Sequence, residues 1–526
     1  MDALFQPLAD LVGASTDQIK LIFCLLVAYP LGSLYIRVPA SSPNIRHLYS
    51  VAVAIFFFFP VLQIYTAFFQ LLASILATYY IAKHDKSSKM PWVVFVIVMG
   101  HLTYNHVIRA LYGFSYETME VTGPQMVLVM KLTTFAWNVY DGRRKEEELD
   151  KWQLAKRVTQ YPSLLEFLGY SFYFPGILVG PYLDFAEYMD VVNETMFTHP
   201  DVRPKIKPGR KTPSYRKRAA YTRMLLGLVY LGIFVVLGPT FNFAAGLKPE
   251  FLQKNLLTRI ISFQLNGPVE RCKYYAIWTL TEGASILTGL GFTGFGPHGE
   301  AHWNGAANVK VFDIELPSNF KVLLDSWNMK TNVWLRECIY KRVTPKGKKP
   351  GNTSQMITFF TSAFWHGIAG GYYLTFLMGG FITAAARQAR NAIRPFFAPA
   401  EGKPVTLAKR LYDLVTVILS AMILNYTASA FIIGGTWDSI ETWRRLGWYG
   451  HIVVFGGLFF FYLGGAGFLK NLQKQMGIVV PQRPRPGAPK QNGTASVPTS
   501  VTATPDSEKN FQLPPAVDKF VPPPTL

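Results

Sequence analysis

Charge is scarce in this chain of 526 residues: Asp, Glu, Lys and Arg together make up 16% of it, against about 25% in an ordinary soluble protein. With half of the residues hydrophobic, 15% aromatic and a mean hydropathy of +0.18, that deficit excludes a typical soluble globular domain and predicts a membrane protein. Acidic charge is the scarcer sign, 32 Asp and Glu against 52 Lys and Arg. Cysteine is nearly missing. Cys24, Cys272 and Cys338 supply neither a disulfide framework nor the paired spacing of a metal site, so they read as small core residues. No period of about 20 to 50 residues recurs, which excludes a solenoid, and no inverted repeat of the kind common in transporters is visible.

Long apolar runs are what the chain has instead. Leu21–Ile36, Leu48–Ile81, Trp92–Phe114, Met224–Phe243, Leu411–Ile433 and Ile452–Leu469 approach or exceed the ~20 residues that cross a hydrocarbon core as a helix. Softer runs, broken by Gly, Pro or polar groups, lie at Gln125–Tyr140, Leu164–Leu183, Leu256–Phe295 and Met356–Ala385. Such segments are tolerated where neighbouring protein satisfies the backbone. The pattern predicts an all-α, polytopic membrane helix bundle of about 9 to 12 transmembrane helices. The first apolar run follows Asp2, Asp10 and Asp17 rather than a basic segment, so it reads as a retained span, not a cleaved signal peptide.

The net charge of +20 does not require nucleic acid, because the cations are gathered in short connections between apolar runs. Three are strongly basic: Arg143–Arg157, Arg203–Arg218 and Lys341–Lys349. The positive-inside rule puts all three on the cytosolic side, where they also attract anionic lipid headgroups. From 476 to 526 the chain turns rich in Pro, Ser and Thr and is expected to be a disordered tail behind a single membrane domain, 1–475.

Within the Met356–Ala385 run, "SAFWHGIAGGYYLTF" holds one histidine among glycines and aromatics. Read as a continuous helix, it puts Ser362, His366, Gly370 and Tyr373 on one face, with Trp365 beside them, so that the face would line a narrow chamber. An ionisable group inside a membrane protein is a functional candidate by default, though a histidine also serves as a hydrogen-bonding contact between helices. His101 and His106, five residues apart, miss the one-face spacing of a helical metal pair and read as interface residues. No metal site is predicted. Upstream, "SWNMKTNVWLRECIYKR" places Trp327, Thr331, Trp334 and Cys338 on one face of an amphipathic element that leads into the basic loop. Asn328 stands at its start, in a position where an asparagine commonly caps a helix.

"SWNMKTNVWLRECIYKR" followed by "SAFWHGIAGGYYLTF" resembles the membrane-bound O-acyltransferase (MBOAT) family, whose hallmark residues are an Asn and a downstream His, here Asn328 and His366. "LLEFLGYSFYFPGILVGPYLDFAEY", "FAWNVYDGRR", "YYAIWTLTEGASILTGLGFTG" and "WNGAANVKVFDIE" are similar to its lysophospholipid-acylating branch. The resemblance spans roughly Leu21 to Leu469. It implies a helix bundle enclosing a catalytic tunnel, an endoplasmic reticulum location, acyl-CoA as cosubstrate with no tightly bound cofactor, and a lysophospholipid as acceptor.

On that reading His366 is the base for the acceptor hydroxyl, and Asn328 either donates to the carbonyl oxygen or orients a substrate. Trp327, Trp365, Ser362, Gly370, Tyr373, Tyr173 and Phe174 are candidate substrate contacts. Tyr173 and Phe174 enter through "YFPGILVGP", whose Pro and Gly break regular helix. Lys330, Arg336, Lys341 and Arg342 are the nearest cations for the phosphates of CoA. A different acceptor (sterol, diacylglycerol or peptide), or lipid transport without chemistry, are the rival readings. Headgroup preference and oligomeric state are not written in the sequence.

Overall fold

The computed structural model describes residues 2–114, 118–345, 348, 350–399 and 404–478. The expected tail therefore lies, beyond residue 478, outside the described residues. The structure is almost entirely helical, with one two-stranded hairpin, Gly294–Phe295 against Ala301–His302. Helix starts follow the local chemistry. Ser15, Asp150, Ser163 and Asp184 each cap a helix whose third residue is Gln or Glu and bonds back to the cap. That reciprocal arrangement satisfies two otherwise orphaned N–H groups.

Seven helices among the described residues are long and apolar enough to cross a membrane: Thr16–Tyr35, Pro43–Val61, Tyr65–His84, Met90–Leu111, Arg216–Leu237, Leu407–Ile433 and Tyr449–Gln475. These correspond to the strong apolar runs, with Leu48–Ile81 divided in two at residues 62–64. The expected total of about 9 to 12 also counted softer runs, and there the outcome varies. Thr122–Gly142 is one helix of 21 residues, buried on nearly every face. Asn266–Thr288 and Gly370–Ile393 are also long but more polar. In Leu164–Leu183 only Leu164–Ser171 is helical before the chain turns irregularly.

The polar residues of the central helices are held by protein. The hydroxyl of Thr133 accepts from Trp334 Nε1 at 2.8 Å, the Lys131 ammonium donates to the carbonyls of Tyr170 and Ser171, and Asp141 receives both arms of Arg342. Helices approach closely where residues are small. A Cβ at Gly283 would overlap the Tyr29 hydroxyl, and one at Gly371 the Ala430 carbonyl oxygen, the small-residue packing characteristic of membrane bundles.

All three basic connections gather at one end. Arg143 donates to the carbonyls of Ala82 and Asp85, Arg216 to that of Leu287, and Lys341 pairs with Asp150 at 2.7 Å. Gly289, just past Leu287, packs against Ile36 beyond the first spanning helix. The segments therefore share the end at which Tyr35, His84, Gly142 and Thr288 terminate their helices. That common placement is what the positive-inside rule requires of them.

Candidate functional site

Asn328 stands between two short helices, Phe320–Ser326 and Met329–Trp334, and its backbone is left-handed at φ 45°, ψ 52°. Asparagine tolerates that conformation better than most residues. It occupies the cap position but its side chain makes no capping bond. Asn308, from the "WNGAANVKVFDIE" stretch, does that work. Its carbonyl accepts from Met329 N and its side-chain Oδ1 from Lys330 N, both at 2.9 Å. Asn308 Nδ2 then donates to Asn328 Oδ1 at 3.1 Å, and Thr331 Oγ1 donates to the same oxygen at 2.8 Å. Asn328 Nδ2 has no hydrogen-bond partner among the described residues. Asn332 closes the turn by donating to the carbonyls of Leu324 and Trp327.

His366 is the last residue of helix Asn352–His366. The expected continuous helix from Ser362 to Phe376 does not form. Gly367 has φ 133°, ψ −164°, a backbone region open essentially to glycine alone, and a second helix, Gly370–Ile393, folds back from it. His366 therefore sits at the tip of a helical hairpin. Gly370 does not share its face, because a Cβ there would overlap Thr436. Tyr373 instead packs on Phe360, with ring centroids 5.8 Å apart, and Ser362 is buried.

Around the imidazole stand Trp365, Tyr372, Phe376 and Phe431, at centroid distances of 4.6, 5.7, 5.4 and 4.8 Å. His366 is only part-buried within that aromatic shell, and neither ring nitrogen has a hydrogen-bond partner among the described residues. His106 lies next to it, with Nε2 3.3 Å from the Trp365 carbonyl and its ring facing the space that a Cβ on Gly367 would occupy.

The helices carrying Asn328 and His366 are brought together by contacts on both flanks. Trp334 and Trp365 meet at 5.7 Å. Trp365 Nε1 donates to the Met126 carbonyl at 3.0 Å, and Thr331 Oγ1 lies 3.3 Å from Met130 Sδ. Met126 and Met130 are one turn apart on helix Thr122–Gly142, about 6 Å along its axis. At the basic end Thr344 Oγ1 donates to Ser354 Oγ at 3.1 Å. Thr331, which is bonded to Asn328, and Trp365, which precedes His366, thus meet helix Thr122–Gly142 within about one turn of each other.

The other expected site residues divide. Trp327 packs edge-on against Tyr274, Tyr275 and Trp278. Tyr173 and Phe174 are not on an open wall. Both are completely enclosed, Tyr173 with its hydroxyl against Thr288 Oγ1 and Phe174 against Tyr35 and Tyr49, so the irregular backbone there is filled with protein. Lys330 points inward to Glu187 at 3.9 Å. Burial raises the Glu187 pKa, but Lys156 and Lys330 outweigh it and hold the carboxyl below its ordinary value. Arg336 pairs with Glu337 at 2.6 Å.

Lys341 and Arg342 do reach an open space. With Trp92, Trp137, Tyr140, Arg144 and Lys348 they line a cavity of about 450 Å³ at the basic end. Arg342 lies 4.3 Å over the Trp137 ring while bonded to Asp141. Asp150, beside Lys341, is held below the ordinary carboxylate range: burial raises it, and the Lys341 ammonium with the N–H groups of Gln153 and Trp152 more than reverses this. Cys338 is fully buried against Thr134 Oγ1 at 3.3 Å, which leaves its sulfur no access to a substrate.

Tyr372, expected as a wall flanking His366, does stand beside it. Sequence reasoning did not pick out Asn308, Phe431 or Phe376, and it treated His106 only as an interface residue. None stands at a diagnostic spacing from Asn328 or His366, and only the fold makes them neighbours.

The family model described as MBOAT, membrane-bound O-acyltransferase, matches residues 108–429, a range containing both Asn328 and His366. The chain is 37% identical over 456 residues to the lysophospholipid acyltransferase of Schizosaccharomyces pombe, covering 86% of this chain and 88% of that protein. It is 34% identical over 475 residues to the lysophospholipid acyltransferase of Saccharomyces cerevisiae, covering 88% and 76%. To the human membrane-bound glycerophospholipid O-acyltransferase 1 it is 30% identical over 458 residues, covering 85% and 89%. The helical bundle, the match to the family model and these full-length relatives agree: the chain belongs to the membrane-bound O-acyltransferase family.

Proposed function

We propose that this protein is an acyl-CoA:lysophospholipid O-acyltransferase that works within the membrane. The observation that carries the reading is the pairing of two side chains on neighbouring helices, an imidazole with unengaged ring nitrogens and a carboxamide with an unengaged N–H₂. The relatives' names support the substrate class. The lysophospholipid hydroxyl attacks the thioester carbonyl, His366 takes the hydroxyl proton, and the carbon–sulfur bond breaks. The proton then passes from the imidazolium to the departing thiolate, giving a phospholipid and free CoA. A base held on the hydroxyl contributes typically 10²- to 10⁴-fold.

Charge develops on the carbonyl oxygen as the hydroxyl attacks. Asn328 Nδ2 donates to it, a contribution of about 2.7–4 kcal/mol by analogy with single oxyanion donors. The cavity at the basic end receives the nucleotide end of CoA: Arg144, Lys341, Arg342 and Lys348 offer cations for its phosphates, and Trp92 offers an aromatic face. The acyl chain then runs through a tunnel toward His366. Membrane lipids supply the acceptor, with sn-2 as the acylated position and the endoplasmic reticulum as the site of phospholipid synthesis and remodelling.

The test is His366→Ala and Asn328→Ala in detergent-purified protein, incubated with mixed acyl-CoAs and mixed lysophospholipids and read by lipid mass spectrometry. The reading expects loss of phospholipid formation from His366→Ala and a loss of about 10²- to 10³-fold from Asn328→Ala, with both variants monodisperse. Wild-type turnover in His366→Ala removes it.

A further inference from the structure

Asn328 offers a donor to the carbonyl only if its amide is oriented with Nδ2 outward, and nothing in the residue itself decides this. A carboxamide turned by 180° fills the same space with donor and acceptor exchanged. Thr331 does not settle it either, because a hydroxyl both donates and accepts. Asn308 does. A backbone N–H only donates, so the bond from Lys330 N at 2.9 Å fixes the facing Asn308 atom as its oxygen. Asn308 Nδ2 is then the atom 3.1 Å from Asn328, and the atom it meets must be the acceptor, Oδ1. The direction of one peptide N–H is thereby passed through two side chains to the reaction centre.

Asn308 also takes over the helix start. Its carbonyl and side-chain oxygens accept from the first two N–H groups of Met329–Trp334, both orphaned at a helix start, and the second of them, Lys330 N–H, is one that an N-cap side chain ordinarily serves. Asn328 is at that cap position and makes no capping bond. Asn308 is only 5% exposed, so its own bonds do not compete with water. We infer that Asn308 is a positioning residue for acyl transfer: it relieves Asn328 of capping and fixes its carboxamide with the N–H₂ turned to the substrate carbonyl. The inference rests on the reading of Asn328 as that donor.

The experiment compares Asn308→Asp, Asn328→Ala and the double variant with wild type, using oleoyl-CoA and lysophosphatidylcholine as probes. Asn308→Asp keeps the size of the side chain and the acceptor for Lys330 N–H but sets an oxygen against Asn328 Oδ1. The expected result is a fall in kcat of about tenfold or more, toward the 10²–10³ for loss of a donor outright. Both KM values stay within about twofold, since the lost interaction belongs to the transition state. Adding Asn308→Asp to Asn328→Ala brings no further loss.

Wild-type kcat in Asn308→Asp beside a crippled Asn328→Ala overturns the role of Asn308 alone. So does a further tenfold loss in the double variant, which would mean Asn308 acts independently. Wild-type kcat in Asn328→Ala removes the donor reading underneath. Should Asn308→Asp fail to give monodisperse protein, Asn308→Ala, which buries no charge, is read in the same way. Where Asn328→Ala falls below detection, the division between kcat and KM decides.

Discussion

Trp334 and Trp365 meet with ring centroids 5.7 Å apart, and this contact joins the helix that begins at Asn328 to the helix that ends at His366. Each indole is also tied by its Nε1–H to helix Thr122–Gly142, through Thr133 Oγ1 and the Met126 carbonyl. Two catalytic candidates far apart in the chain thus hang from one rigid, buried helix. Truncating Trp334, which is fully enclosed, to alanine is expected to cost about 3–5 kcal/mol. Thermal unfolding in detergent measures the loss, and kcat should fall with it because the registration of the two helices loosens.

Gly367 turns the chain beyond His366 with φ 133°, and a Cβ there would lie 3.3 Å from His106 Nδ1. Gly367→Ala is therefore strained by about 1–3 kcal/mol and pushes on the histidine hairpin. Lower kcat with a lower unfolding temperature is expected. A Gly367→Ala protein matching wild type in both would show that the tip of the hairpin relaxes freely.

The cavity at the basic end predicts a different signature. Lys341→Gln with Lys348→Gln removes two cations from its wall without touching His366 or Asn328. KM for acyl-CoA should rise severalfold while kcat at saturation stays near wild type, since these contacts hold the ground state and transition state alike. Salt should weaken acyl-CoA binding less in the double variant than in wild type.

Arg271 ties three helices together. It forks onto Glu315 at 2.8 and 2.5 Å and reaches Asn425 at 2.7 Å, while the Tyr275 hydroxyl bonds the same carboxylate at 2.6 Å. Removing one member of such a buried pair costs about 3–5 kcal/mol, reduced here because Glu315 is about a quarter exposed. Arg271→Met should lower the unfolding temperature and loosen the segment leading to Asn308 and Asn328. Glu315→Gln, which leaves hydrogen-bonding atoms in place, should cost less.

Much of this was legible in the sequence wherever chemistry was local. Apolar runs of spanning length became spanning helices, basic connections gathered at one end, and the two motifs around Asn328 and His366 sit on neighbouring helices. What failed was continuity: Gly367 reads as one more small residue in an apolar run, and nothing in the string records that it adopts a φ of 133°. Tyr173 and Phe174 failed for a related reason, since irregular backbone can border a void or be packed solid and composition does not separate the two. Asn308 is twenty positions from Asn328, and its role depends on the loop between them closing on itself.

Whether Asn328 and His366 converge on one carbonyl is decided by a structure by electron cryomicroscopy with a non-transferable 2-oxoalkyl analogue of acyl-CoA, in which a methylene separates the carbonyl from sulfur. The carbonyl oxygen is expected within about 2.7–3.1 Å of Asn328 Nδ2, with a His366 ring nitrogen facing the carbonyl carbon across space for a hydroxyl. A carbonyl bound out of reach of Asn328, or separated from His366 by packed side chains, would contradict that convergence.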